Sequence, residues 1–160
     1  MRKPAKPRTD RRGRVTVTGD HWAKMLRATM KTEAWRSLST NAQALYPWLK
    51  LEWHGPKNNN NGKLTLSVRQ AADRLGVGIN TAAKAFHDLQ AKGFIVACEI
   101  ACLGVDGSAR ATSFEITELH MPGTDEHGGR KLYLQWSPGN DFHVQKPNTN
   151  NPEGLSLIHI

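Results

Sequence analysis

A chain of 160 residues with 38% apolar residues has material for one small core and for tails beside it. No stretch approaches the roughly 20 apolar residues of a membrane span, and the N-terminus has no apolar secretory core, so the expectation is a cytoplasmic protein. The formal charge of +8 points to a polyanionic partner, but its distribution matters more than its size. The first 14 residues hold Arg2, Lys3, Lys6, Arg8, Arg11, Arg12 and Arg14 against Asp10, which leaves the remaining residues with only +2 of the +8.

Residues 1–19 therefore read as a disordered basic arm, since they contain Pro4 and Pro7 and no large apolar residue before Val15. Residues 20–38 carry apolar residues in patches and predict one or two short helices. The spacing Ala42, Leu45, Tyr46, Leu49, Trp53 predicts a helix over 39–53, capped by Ser39 or Thr40, with Thr40-x-x-Gln43 fitting a capping box and Pro47 a kink near Gln43. The run Asn58–Asn61, closed by Gly62, reads as a solvated turn, and Lys63–Leu66 as a short strand.

Ser67 and Gln70 form a second capping-box pattern, Val68, Ala71, Ala72 and Leu75 make an apolar stripe, and Gly76 ends the helix. After a turn reaching Asn80, another helix runs to about Lys92, with Ala82, Ala85, Phe86 and Leu89 inward, and Gly93 stops it. Residues 94–100 and 112–119 read as two strands of a hairpin, with a turn over 103–110 and Phe114 and Ile116 sharing a face. If Cys98 and Cys102 share a strand they lie ~13 Å apart, too far for a disulfide, and they read as reduced thiols. From Met121 to Gly154 the Gly, Pro and Asn content predicts a flexible tail, with 131–136 as a short strand or docking peptide. Residues 155–160, Leu-Ser-Leu-Ile-His-Ile, read as the translation of a transposon-library sequencing adapter, a scar outside the native chain.

Two short helices on a glycine turn, followed by a hairpin, carry a resemblance. Ser67–Val77, Asn80–Ala85 and Leu89–Ile95 resemble the winged helix-turn-helix of bacterial regulators. The wider frame, with Trp35–Ser39 ahead and the asparagine loop behind, is similar to domains of plasmid, phage and integrative-element proteins. The resemblance covers about residues 25–120. It implies an α+β domain over 20–120: a three-helix core, a small antiparallel sheet with a wing, and an extra N-terminal helix.

It also implies double-stranded DNA as partner and a nucleoid-associated regulator of a mobile element. A plasmid or phage replication initiator uses the same fold. A winged-helix interaction module that touches no DNA is the reading from another class. Groove geometry then selects Asn80, Thr81, Ala83, Lys84 and His87 on the outward side of the second helix. Ser67 and Arg69 at the start of the first helix are placed at phosphate, and Arg110 beside the hairpin turn at the minor groove. Asn80 and Thr81 equally fit a helix cap, which does not exclude DNA contact.

Trp22, Trp35, Trp48 and Trp53 either fill the small core or form a homodimer surface. No histidine pairs with a cysteine at zinc-ligand spacing, and no phosphate loop or serine nucleophile elbow appears. The expectation is a binding protein without cofactor or catalytic activity.

Overall fold

Short capped helices open the chain. The computed structural model describes residues 21–103, 109–124 and 128–145; the basic arm, the centre of the hairpin turn and the adapter-like ending lie outside them. α1 (Arg27–Met30) and α2 (Glu33–Arg36) are single turns, the second capped by Thr32, whose hydroxyl accepts the Trp35 N–H at 3.2 Å. α3 (Thr40–Leu51) is capped by Ser39, one of the two expected caps, whose hydroxyl accepts the Ala42 N–H. The expected Thr40/Gln43 box does not form, because the Gln43 amide donates instead to the Trp35 carbonyl at 2.9 Å and ties α3 to α2. The helix continues through Pro47, and Ala42, Leu45, Tyr46 and Leu49 are buried as their spacing predicts.

The asparagine run is not a solvated turn. Asn61 is 1% exposed, its amide donates to the carbonyls of Ile116, Leu119 and His120, and its oxygen accepts the Ile116 N–H at 2.8 Å. Asn59 accepts the Trp53 indole N–H at 2.9 Å and donates to the His120 carbonyl. Asn60 accepts the His54 N–H and donates to the Glu52 carbonyl. Three side chains thus satisfy backbone groups that no sheet or helix reaches.

β1 (Leu64–Thr65) leads into α4 (Val68–Leu75), and the predicted capping box forms: Ser67 accepts from the Gln70 N–H at 3.1 Å while Gln70 accepts from the Ser67 N–H at 3.0 Å. Gly76 is left-handed at φ 66°, and the Val77 N–H reaches back to the Ala72 carbonyl, which satisfies the helix end and seats Val77 against the core. α5 (Ile79–Ala91) then starts at once from Gly78. Its end repeats the device, with Gly93 at φ 76° and buried Phe94 donating to the Leu89 carbonyl.

β2 (Ile95–Glu99) and β5 (Ser113–Ile116) pair antiparallel, and β1 adds to the far side of β5, giving the order β1-β5-β2. Beyond a register shift at Ala97/Glu99 the hairpin continues as β3 (Cys102–Leu103) against β4 (Ala109–Arg110). The fold is α+β, helices packed on a small antiparallel sheet. β5 buries all four residues, not one face only, and Arg130 covers Glu115 with a two-pronged ion pair. Phe86 of α5 stacks on Phe114 at 5.2 Å, joining helix to sheet.

Residues 128–145 are not a loose tail. Leu132–Leu134 form one 3-10 turn, and the Tyr133 ring lies flat on Phe94 at 4.8 Å. Trp136 is buried, the Phe142 N–H donates to the Ala91 carbonyl at 2.8 Å, and the Gln145 N–H donates to Gln90 at 3.1 Å. Overall composition hid three aromatic anchors, Tyr133, Trp136 and Phe142, spaced through polar chain. Of the four tryptophans weighed for the core, Trp35 is buried and Trp53 half-buried, whereas Trp22 and Trp48 are exposed.

Candidate functional site

Helical periodicity divides α5 cleanly. Ala82, Ala85, Phe86 and Leu89 are buried, so Asn80, Lys84 and His87 fall on the opposite side. Asn80 and Lys84 are exposed and make no hydrogen bond or ion pair with other described residues. His87 is half-buried and already engaged within the chain. Thr81 and Ala83 are half-exposed on the two flanks.

The start of α5 differs from the expected one. The N-cap is Gly78, which offers no side-chain acceptor, and Asn80 and Thr81 lie inside the first turn as helical residues. They do not cap it. The first amides of α5 therefore face outward without a side-chain partner, under the positive end of the helix dipole. Ile79, the first helical residue, is 54% exposed beside Asn80. Ile79 lies outside the expected inward set of Ala82, Ala85, Phe86 and Leu89, and the core ends before the helix does.

The electrostatics of α5 favour its outward side. Its sole acid, Asp88, is turned toward α3, where it accepts the Ser39 N–H at 2.7 Å and pairs with Lys92. No carboxylate of α5 therefore opposes the Lys84 charge.

Ser67, Ala83 and His87 meet at a groove of about 250 Å³ between α4, α5 and the hairpin, floored by Phe86 and Phe114 and edged by Thr112. Ser67 already accepts the Gln70 N–H, which leaves its hydroxyl hydrogen to donate. Arg69, in the first turn of α4, is exposed. Arg110 lies on β4 opposite Cys102, on the hairpin extension; its side chain is outside the described residues. The structure thus gathers Ser67, Ala83 and His87 at one groove and sets Asn80 and Lys84 on the adjoining helix face.

A second polar centre, invisible in the sequence, lies behind α3. Glu118 is buried and accepts from Thr29, from the Tyr46 hydroxyl at 3.1 Å and from Lys50, itself 6% exposed. Burial, and then the neighbouring Glu118 charge, push the Tyr46 hydroxyl well above the usual tyrosine range. The Cys98 thiol is free and is also pushed up, first by its partial burial. Among the described residues no group of three His, Cys, Asp or Glu is placed to hold a metal ion, and no helix is long and apolar enough to cross a membrane.

No family model matches the chain, no curated protein matches it, and no solved structure matches it.

Proposed function

We propose that this chain binds double-stranded DNA as a winged helix-turn-helix protein. α4, the Gly76–Gly78 turn and α5 serve as the helix-turn-helix, and the β2–β5 hairpin with its β3–β4 extension serves as the wing. The observation that carries the reading is the outward side of α5: Asn80 and Lys84 exposed, without partners among the described residues, on a helix whose other side is locked in the core. A side chain held at the surface of a fixed helix, with its bonding capacity unused, is what reading base edges requires.

In this arrangement the leading half of α5 enters the major groove. Asn80 presents a donor and an acceptor that match adenine, and Lys84 reaches guanine or a phosphate. Ile79, Ala83 and Thr81 are small or apolar enough to approach thymine methyls and backbone. Ser67 and Arg69 contact phosphate, helped by the α4 dipole, and Arg110 follows the minor groove. The chain acts by binding, without cofactor or catalysis. Its role is regulation in a bacterial mobile element, the resemblance stated above being the support for that role.

The exposed Trp22 and Trp48 favour one competing reading, a protein-interaction module. Selection of bound duplexes from a randomised pool, followed by binding isotherms at several salt concentrations, separates the two. A DNA-binding protein enriches a short motif and loses affinity by roughly 0.9 log units per log unit of salt for each phosphate contacted. Absence of any salt-dependent duplex binding by the full chain overturns the proposal. Footprints then distinguish a regulator, which protects a short palindrome, from an initiator, which protects iterated direct repeats.

A further inference from the structure

A cavity of about 400 Å³ lies beside the last turn of α3, and nothing in the DNA reading uses it. Its volume falls within the ~300–1,000 Å³ range of small-molecule sites. Lys50 and Glu118 line it, and Trp22, Lys24, Leu26 and Trp53 surround them.

The two charged residues are not equivalent. The Glu118 carboxylate is committed, accepting from Thr29, Tyr46 and Lys50. The Lys50 ammonium carries three donors, yet Glu118 is its one hydrogen-bond acceptor among the described residues. Its other neighbour is the face of the Tyr46 ring, 5.5 Å away, which attracts the charge but accepts no conventional hydrogen bond. A nearly buried ammonium with unmet donors beside a cavity calls for an acceptor inside it.

The surroundings specify that acceptor. Lys24 and Lys50 set two ammonium groups in the lining against the one carboxylate of Glu118. Apart from His21 and His54 the remaining wall is apolar and includes the rings of Trp22 and Trp53, and Trp22 is 75% exposed. A compact hydrated ion leaves those walls unused. We infer that this cavity is a binding site for a small aromatic carboxylate, its carboxylate on Lys50 and Lys24 and its ring between Trp22 and Trp53. The inference stands independently of the DNA reading.

Calorimetric titration of the full-length protein with indole-3-acetate, its neutral amide and inorganic phosphate tests this. The expected result is saturable one-to-one binding of the acid, with the amide weaker by about tenfold or more, as loss of a charge-assisted hydrogen bond implies, and no heat from phosphate. Trp22→Ala and Lys24→Ala alter exposed side chains, so they leave thermal melting unchanged and weaken the acid. Lys50→Met/Glu118→Gln removes the ammonium without stranding a charge, and reduces discrimination between acid and amide. The inference is overturned by lack of saturable binding of the acid, by equal affinity for acid and amide, by competition from phosphate, or by full affinity in Trp22→Ala.

Discussion

Asn61 and Asn80 are the same residue in opposite circumstances. The first is 1% exposed and spends its whole amide on the backbone of 116–120; the second stands on the first turn of α5 without a partner among the described residues. The same contrast separates Lys50, paired with Glu118 inside the fold, from Lys84, exposed on α5. Residue type sets what a side chain can bond. The surroundings decide whether that capacity holds the chain together or remains for a partner. Polar residues behind α3 are mostly spent, and those on the outward side of α5 are mostly not.

The contrast breaks first at Asn61. Replacing it with alanine strips the buried Ile116 N–H of its acceptor and the Leu119 and His120 carbonyls of a donor, and opens a void; the Ile116 carbonyl keeps the Leu119 N–H. About 3 kcal/mol of stability should be lost, since each unsatisfied buried group costs about 1–3 kcal/mol. Asn80→Ala should change stability by no more than about 0.5 kcal/mol, as surface substitutions do. Urea denaturation of both variants measures the difference, and similar losses would erase the distinction between the two regions.

Binding should show the reverse order. The double substitution Asn80→Ala/Lys84→Ala should weaken the selected duplex by about 2 kcal/mol or more, roughly thirtyfold, at unchanged melting temperature. The Asn61→Ala protein, held below its melting temperature, should retain affinity close to the parent. Specific binding that survives the double substitution would move the reading surface away from α5.

Local signals made much of the fold legible. The Ser67/Gln70 box, the left-handed Gly76 and the Ala82–Phe86–Leu89 stripe act within one or two helical turns, and the structure has all three. What escaped depends on distant partners. Asn61 meets residues 55 positions away, Lys50 and Tyr46 meet Glu118, and Tyr133 stacks on Phe94, pairings that no periodicity encodes. The candidate site was legible in the same uneven way. Asn80 and Lys84 follow from helical spacing, whereas the exposure of Ile79 and the turning of Asp88 toward α3 depend on where the core ends.

Tyrosine titration gives a smaller, pH-dependent version of the contrast. Tyr46 is raised in the folded chain, so below the unfolded value of about 10 both states keep the proton and stability is unaffected. Above it the unfolded chain loses the proton first, and stability falls as pH rises through the folded value. Tyr46→Phe should remove that part of the alkaline loss while costing about 1 kcal/mol at neutral pH through the bond to Glu118. Denaturation midpoints at pH 7 and pH 11 measure both effects; a parent whose alkaline loss equals that of the variant would show that Tyr46 is not held by burial.

The smallest effect is expected at Gly78, and it separates stability from binding most finely. α4 begins with a full capping box, but α5 begins at a glycine whose φ of −67° and ψ of 153° any residue can adopt. A Cβ built there meets nothing within 4 Å, so Gly78→Ser is sterically free. The serine hydroxyl would accept an amide of the first turn, as Ser67 does for α4, and stabilise the fold by a few tenths of a kcal/mol. If those amides serve a phosphate, the same substitution competes for them and weakens the duplex even as the protein becomes more stable. A protein more stable and equally tight on DNA would show that the leading end of α5 contributes through its side chains alone.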